Sequence, residues 1–262
     1  MEFSNLLHEI GLPSDVVRAL EDRRQLFEAH RELILSITDS ATSEASNKAL
    51  RMLLGDDDMG IMACQLYAAT HTRELYRAKG IDDRIFLDTL GCFRRFLVET
   101  EIRTGRVFFD RWWWTFRQLS MRIFRIGQLE FEMMRGPFAI AMHIPSDSKI
   151  TSENVDASIA AAREFFAKYY PEYAQAPFGC ESWLLSPTLR GLLGPDSRIG
   201  AFSDRFMLIH VDPDPKDVWE WLFRASEDTP VEELPETTSL QKNVKYYLLE
   251  GGSIGVARGI LK

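Results

Sequence analysis

Cysteine is scarce in this sequence. Three cysteines occur among 262 residues, and they lie far apart without forming a CxxC pair. An odd and dispersed set argues against both a disulfide framework and a zinc knuckle. A reducing compartment suits such a sequence, so we expect a cytoplasmic protein that holds no metal.

Long apolar runs and an excess of basic residues are also missing. No window approaches eighteen uncharged apolar residues, and the first segment, MEFSNLLHEIGL, lacks the basic and apolar parts of a secretory signal. The 39 acidic residues outnumber the 31 lysines and arginines, which gives a formal net charge of -8. Phosphate contacts need clustered Lys and Arg. The sequence therefore argues against nucleic acid and membranes as partners.

What the sequence does contain is typical of a globular protein with a large core. Hydrophobic residues make up 45% and charged residues 27% of the chain. The residue pattern changes near position 118, where helical periodicity gives way to β-branched and large apolar runs. We therefore predict an α+β protein with two domains, a helical domain over 1–118 and a mixed α/β domain with a mainly antiparallel sheet over 119–262.

The first of these domains shows helical signals alone. Apolar residues recur at helical spacing, and caps or glycines punctuate each segment. The run Asp56–Asp58 stands at the positive end of one helix, with Gly80 past its other end. It lacks the alternation of a calcium loop. The predicted helices cover 13–38, 43–55, 56–80 and 82–105.

The second domain mixes strands and helices in the order ββαβαβααβ. Arg135, Gly136 and Pro137 form a turn signal between two predicted antiparallel strands. Thr151 or Ser152 caps a clear helix, and Ser186 caps a short one that has Pro187 at its first position. Asp214 is expected to cap a later helix. The predicted elements are strands 121–134 and 138–144, helix 151–170, strand 178–186, helix 187–193, a strand or bent hairpin over 197–211, helices 214–225 and 239–252, and strand 253–262.

Five motifs in this half follow the order of one family. They are RIGQLEFEM, HIPSDSKIT, GCESWLLSPTL, SRIGAF, and the stretch from TTSLQK to EGG. In these the chain resembles bacterial acyltransferase-domain proteins, which pair a helical N-terminal domain with a C-terminal domain similar to the GNAT fold of acyl-CoA N-acyltransferases. The resemblance covers nearly the whole chain. It implies acyl transfer from an acyl-CoA, such as acetyl-CoA, to a small-molecule amine that the sequence does not identify.

The resemblance also implies where the co-substrate binds. In a GNAT domain the pantetheine pairs along a splayed strand, and the pyrophosphate sits at the N-terminus of the helix that starts there. The stretch FGCESWLLS, 178–186, would be that strand, and the helix from Pro187 would be that helix, whose free N–H groups suit an anion. The implied cofactor-binding residues are Leu184, Leu185, Ser186, Thr188 and Arg190.

The sequence departs from the superfamily at the same place. The usual pyrophosphate loop, Q/R-x-x-G-x-G/A, is absent, since LLSPTLRG has one glycine and a proline that removes an N–H group. A second hypothesis therefore stays open. The fold would persist as a non-catalytic GNAT-like module that binds a peptide or a small metabolite.

Glu181 is the first candidate for the catalytic base. Side chains alternate along a strand, so Cys180 and Ser182 share one face while Glu181 and Trp183 share the other. Burial beside Trp183 would raise the pKa of Glu181 toward neutrality, which suits a base that deprotonates an ammonium. The structural alternative is a carboxylate paired with an arginine such as Arg205. Cys180 and Ser182 are interpreted as packing.

Two histidines lie near predicted strand ends, where ligand clefts form. His143 in AMHIP is the second catalytic candidate, and His210 in LIHVDP is a weaker one. Each alternatively makes a structural hydrogen bond. Prolines interrupt HVDPD, which argues against a metal site there.

Three consecutive tryptophans, 112–114, mark the end of the helical half. Successive residues of a helix are 100° apart, so the three rings cannot all face one core. A segment wedged between the domains is the favoured interpretation. An aromatic wall for an acyl chain is the alternative, and in that case Trp113, together with Trp183, would contact the substrate.

Overall fold

The computed structural model describes residues 2–134, 139–213 and 216–262. Within them the chain divides after Ile126 into two compact units. Helices make up the first unit except for one short strand at its end, and a sheet with helices makes up the second. The predicted α+β class is confirmed. The division falls inside the segment that the sequence predicted as one strand, 121–134.

The first unit is arranged around one long helix, α6, which has eleven buried residues over 22 positions. Most of the other helices of this unit pack against it. Its elements are α1 (Glu2–Glu9), α2 (Ser14–Glu21), α3 (Gln25–Ala29), α4 (Arg31–Ser36), α5 (Ser43–Leu54), α6 (Asp58–Lys79), α7 (Asp83–Leu90), α8 (Cys92–Thr104), α9 (Trp112–Leu119) and β1 (Ile123–Ile126).

The ends of α6 match their sequence signals. The Asp57 carboxylate accepts a hydrogen bond from the Gly60 amide at 2.9 Å, so it caps the helix. The Arg23 guanidinium beside it holds the pKa of Asp57 below its usual value. Gly80 ends the helix at φ 72°, a left-handed conformation that favours glycine. The run Asp56–Asp58 is a helix start, as predicted.

Two predicted helices are broken into shorter ones. The segment 13–38 forms α2, α3 and α4, because Arg23 donates to the Ala19 carbonyl and to Asp57 and so fixes a turn after α2. The segment 82–105 forms α7 and α8. Gly91 is the C-cap residue of α7 and also the N-cap residue of α8. Apolar residues keep their helical spacing across both breaks, so the sequence pattern does not show where one helix ends and the next begins.

The described residues of the second unit form five strands in the spatial order β2-β3-β4-β6-β5. Neighbours are antiparallel except β3 and β4, which run parallel and are joined through α10. The elements are β2 (Leu129–Met134), β3 (Ala139–His143), α10 (Ser152–Tyr169), β4 (Phe178–Ser182), α11 (Pro187–Leu192), α12 (Arg198–Ser203), β5 (Phe206–Asp212), α13 (Asp217–Trp221), α14 (Ser239–Leu249) and β6 (Val256–Leu261).

Three strand predictions are corrected. The segment 121–134 is two strands, since Gly127 turns the chain at φ 64°, where an added Cβ would lie 2.5 Å from the Ser158 hydroxyl. The segment 178–186 is a strand only to Ser182. The segment 197–211 begins as α12, because the Ser197 hydroxyl accepts from the Gly200 amide and caps a helix. The missed signal in each case is one turn or cap residue.

The helices of this unit follow their predictions more closely. Thr151 caps α10, and Thr238 forms a capping box with Gln241 at the start of α14. The helix predicted over 214–225 is shorter, and spans Asp217–Trp221. The predicted turn at Arg135–Pro137 and the predicted cap Asp214 lie outside the described residues.

The two faces of the sheet differ in their side chains. The rings of Phe131 and Phe166 contact that of Phe178 at tilted and edge-on angles on the face that α10 covers, and Cys180 points the same way. The opposite face carries the polar side chains described below. Within the described ranges, no helix is both long and apolar enough to cross a membrane.

Candidate functional site

A row of polar side chains crosses one face of the sheet in the second unit. The register places Glu130 of β2 opposite His143 of β3, and Glu181 of β4 opposite Arg258 of β6. Arg258 in turn lies opposite His210 of β5. Since Ala141 is opposite Gly179, alternation puts His143 and Glu181 on that same face. The two catalytic candidates from the sequence are therefore brought to one face of adjacent strands.

His143 is held by a buried carboxylate. Its Nε2 lies 3.0 Å from Oε2 of Glu132, which is 5% exposed, whereas the imidazole side chain keeps 28% of its surface. Glu132 is two residues from Glu130 on β2, so both carboxylates share the face of His143. The contact with Glu132 fixes the orientation of the imidazole on this face, and histidine is a common residue for proton transfer.

Glu181 is paired with Arg258. The arginine suggested from the sequence as its structural partner was Arg205. Arg258 donates from Nε at 2.8 Å and from Nη2 at 2.6 Å to the same carboxylate oxygen. Arg205 bonds instead to Asp156. The Glu181 side chain is 54% exposed, so the burial on which a raised pKa was predicted is absent.

Trp183 does not continue the strand. The Ser182 hydroxyl accepts a hydrogen bond from the Leu184 amide at 3.1 Å and begins a 3-10 turn over Trp183–Leu185. The alternation that would place Trp183 on the face of Glu181 ends there. The indole is 9% exposed and packs in a cluster of buried apolar residues with Leu184 and Leu189.

The residues predicted to bind the cofactor follow this turn. Leu184, Leu185 and Ser186 are all buried, and Ser186 stands at the cap position of α11 without making a side-chain cap hydrogen bond. Thr188 is half-buried. Arg190 donates to Asp204 at 3.1 and 3.0 Å, so its charge is already matched. α11 has six residues.

Cys180 lies on the opposite face from Glu181, as predicted. Burial, with a smaller contribution from the Glu181 charge, raises the pKa of this thiol to about 12. A nucleophilic cysteine needs its thiolate. Cys180 is therefore a packing residue near neutral pH.

A pocket of about 380 Å³ opens beside Glu181 and Arg258. Desolvation raises the pKa of Asp217, and the like charges of Glu227, Glu181 and Asp212 add to this effect. The pocket therefore combines carboxylates, an arginine and an imidazole. Its lining residues are Glu181, His210, Asp212, Asp217, Val256 and Arg258.

The tryptophan run belongs to the first unit, where α9 packs on α5 and α6. Trp112 and Trp114 are half-buried, whereas Trp113 is exposed and lies edge-on to Trp114. The Trp112 carbonyl accepts from Asn47 and Gln65. The three rings therefore lie in different environments, which is what the 100° spacing between successive helix residues requires.

Glu132, Arg258 and Asp217 were missed by sequence reasoning. A signal existed for the first, since LEFEMM places two glutamates two residues apart in a strand that is otherwise apolar. The partners Arg258 and Asp217 depend on register and on the position of α13, which no local pattern supplies. Among the described residues, no group of three or more acidic, His or Cys side chains is arranged to hold a metal ion.

Comparison with family models identifies both halves of the chain. Residues 1–121 match the N-acyltransferase N-terminal domain, and residues 123–261 match the GNAT-like C-terminal domain. The chain belongs to this N-acyltransferase family. The resemblance seen in the five motifs is thereby confirmed. No curated protein sequence matches this chain.

Solved structures of acyltransferases share the fold. An acyltransferase in complex with decanoyl-CoA superposes with a TM-score of 0.80 at 22% identity, over 98% of this chain and 86% of that one. An acyltransferase in complex with decanoyl-CoA and teicoplanin has a TM-score of 0.74 at 20% identity, over 100% and 99% of the two chains. The same values hold for a complex with CoA and 10C-teicoplanin. This N-acyltransferase family member thus has the acyltransferase fold over nearly its full length.

Proposed function

We propose that the protein transfers an acyl group from an acyl-CoA to the nitrogen of a small-molecule amine. The observation that carries the proposal is the His143–Glu132 pair, at 3.0 Å, on the polar face of a GNAT-like sheet. Family membership supports the reaction class. The structurally similar acyltransferases that hold decanoyl-CoA support the acyl donor.

The reaction assigns a definite task to each group. The amine nitrogen loses a proton to the base, attacks the thioester carbonyl carbon and forms a C–N bond. The C–S bond then breaks, and the CoA thiolate takes up a proton. A base with a pKa near the working pH is the most effective, and an imidazole has such a pKa without any perturbation.

His143 is a better candidate for the base than Glu181. Arg258 donates to one oxygen of Glu181 from two nitrogens, so that carboxylate is already held in an ion pair. Glu132 supports His143 from a buried position. We therefore assign His143 as the base and keep Glu181 as a catalytic residue that lies against the substrate, with Arg258 fixing its orientation.

The phosphates of the acyl-CoA have two candidate sites. The sequence pointed to α11, but that helix is short and Arg190 is paired with Asp204. β3 and β4 run parallel, and ligands of such sheets bind beyond the carboxyl ends of the parallel strands. Besides α11, which follows β4, the helix that starts beyond that edge is α10, which follows β3. α10 has eighteen residues and the exposed Lys149 just before its first turn.

The acceptor is proposed to be a small-molecule amine. The pocket beside Glu181 is lined by more acidic than basic residues, which suits an ammonium group before it loses its proton. One structurally similar acyltransferase is in complex with teicoplanin, so a large acceptor is compatible with the fold. We place the reaction in the cytoplasm, where the three cysteines would stay reduced.

The first test is ligand binding and turnover. Decanoyl-CoA and acetyl-CoA at millimolar concentration should raise the melting temperature, because a ligand that binds only the folded state stabilises it by mass action. Thiol release from the same donors, with a panel of primary amines, should then identify the acceptor. Glu181→Gln should lose most of this release while keeping the melting temperature.

Two outcomes would reject the proposal. No melting shift with either donor favours the non-catalytic module. Full activity in both Glu181→Gln and His143→Asn would show that the polar face of the sheet takes no part in the reaction. For the phosphate site, Lys149→Ala should weaken donor binding more than Arg190→Ala does. Lys168→Ala, at the other end of α10, is the matched control.

A further inference from the structure

The loop between β3 and α10 is held by a set of hydrogen bonds to its main chain. It covers residues 144–151, begins directly after His143 and ends at the cap of α10. Its sequence, IPSDSKIT, contains no glycine. Main-chain groups of a loop that water does not reach must find partners outside regular secondary structure. The partners of this loop come from the turn before β2 and from the first turns of α10.

Gln128, the residue before β2, supplies several of these partners. Its side-chain Oε1 accepts a hydrogen bond from the Lys149 amide at 2.8 Å, and its carbonyl accepts one from the Ser148 hydroxyl. Its own amide donates to the Ser158 hydroxyl on α10 at 2.9 Å. One half-buried glutamine thus joins the start of β2, the loop and α10.

The carbonyl of Lys149 is held from the side of α10. The Asn154 side chain donates to this oxygen from Nδ2 at 2.9 Å, and the Thr151 amide donates to it at 2.9 Å. The amide and the carbonyl of Lys149 therefore both have partners. The Lys149 side chain is exposed, so its ammonium extends from a main chain that is fixed.

A fixed main chain lowers the cost of binding an anion at this lysine. Ordering a flexible segment on binding reduces affinity, and a segment that is ordered beforehand avoids that loss. A residue can support a binding group in this way without touching the ligand. Gln128 is suited to this role, because its hydrogen bond to Lys149 is to the main-chain amide.

We propose that Gln128 is a positioning residue for the acyl-CoA donor, which holds the main chain of Lys149 so that the ammonium meets the donor phosphates. The inference rests on the proposed function and on the phosphate site proposed at the start of α10. Gln128 itself does not contact the donor. Its effect should therefore be confined to donors that carry the phosphates of CoA.

Two donors separate positioning from general damage to the fold. Decanoyl-CoA carries the phosphates, whereas the decanoyl thioester of pantetheine has the same reactive group and none of them. In titration calorimetry, Gln128→Ala should raise the Kd of decanoyl-CoA by about 2- to 10-fold, the effect of losing one hydrogen bond, and leave the Kd of the pantetheine thioester unchanged. Asn154→Ala removes the hydrogen bond to the Lys149 carbonyl and should act in the same way. It makes the same comparison if Gln128→Ala does not fold.

A double variant gives a second measurement, which needs decanoyl-CoA alone. If Gln128 acts through Lys149, the variant with both Gln128→Ala and Lys149→Ala should bind decanoyl-CoA no more weakly than Lys149→Ala does. Independent effects would multiply instead. Gln175→Ala, at an exposed glutamine before β4, is the matched control and should leave the Kd of both donors unchanged.

The possible results distinguish the positioning role from the function on which it rests. A wild-type protein that binds neither donor would reject both. A wild-type protein that binds decanoyl-CoA, together with a Gln128→Ala variant that binds it equally well, would overturn the positioning role alone. The same holds if Gln128→Ala weakens both donors equally, or if its effect multiplies with that of Lys149→Ala.

Discussion

His143 Nε2 and Glu132 Oε2 lie 3.0 Å apart across two antiparallel strands. The pair joins a partly exposed imidazole to a carboxylate that water barely reaches. Because the proposed base and its support come from strands rather than loops, their geometry is fixed by the sheet.

The pair yields the first prediction. His143→Asn should reduce acyl transfer by about 10²- to 10⁴-fold, the usual contribution of a general base, while donor binding persists. Glu132→Gln keeps a hydrogen-bonding partner but removes the charge, so acyl transfer should fall by a smaller factor than in His143→Asn. Rates are measured by thiol release from decanoyl-CoA. His71→Asn is the control, since His71 forms a similar pair with Glu74 on α6, at 3.1 Å; loss of activity there would contradict the assignment.

Asp217 should make stability depend on pH. Its pKa is raised in the folded state, chiefly by desolvation, so the folded protein holds the proton more tightly than the unfolded chain does. Stability from this group is present below the unfolded pKa and declines as pH rises through the folded value. Asp217→Asn should therefore raise the melting temperature at pH 7 but not at about pH 3, below the unfolded pKa of an aspartate. A lower melting temperature at pH 7 would show that the carboxylate is stabilising, and the exposed Asp228 provides a matched Asn control.

Asp57 should have the opposite pH dependence. The hydrogen bond from Arg23 lowers its folded pKa, so its contribution is present above the unfolded pKa and is lost as pH falls through the folded value. Removing the cap by Asp57→Ala should cost about 0.5–2 kcal/mol of unfolding free energy near neutral pH. Denaturation by urea measures the change. Asp56→Ala, at a fully exposed neighbour, should leave the unfolding free energy unchanged; an equal loss there would rule out capping.

Substitution of Leu185 tests whether the turn after β4 belongs to the hydrophobic core or to the cofactor-binding site. Its side chain is fully buried, so Leu185→Ala should cost about 2–5 kcal/mol of unfolding free energy through the cavity it leaves. Leu249→Ala, at a half-exposed position on α14, should cost much less. A small loss of stability together with a large loss of donor binding would instead restore Leu185 to the cofactor site that the sequence implied.

Much of the fold was predictable because its signals are local. Asp57 and Gly80 delimit α6 within one turn of each end, and Thr151 does the same for α10. Alternation correctly separated Cys180 from Glu181. The prediction that alternation continues to Trp183 was wrong, because the strand ends at Ser182. In the sequence, a serine whose hydroxyl caps a turn cannot be distinguished from a polar residue within a strand.

The chemistry of the site was less predictable, since it depends on partners far along the chain. Glu181 and Arg258 are 77 residues apart, and only the β4–β6 register brings them together. A raised pKa for Glu181 was predicted from burial beside Trp183. The exposure of the carboxylate removes the basis for that prediction. The buried carboxylate that contacts His143 is Glu132, on the strand predicted to pair with that of His143, but the register that brings the two side chains together was not predicted.

The burial of all three cysteines has a consequence for a protein proposed to release a thiol at every turnover. A protein forms a mixed disulfide with CoA when an accessible thiolate attacks the disulfide of oxidised CoA and one CoA thiolate leaves. Cys64, Cys92 and Cys180 are buried, and desolvation raises the pKa of both Cys64 and Cys180 to about 12. Accumulating product under mildly oxidising conditions would therefore leave these three cysteines unmodified.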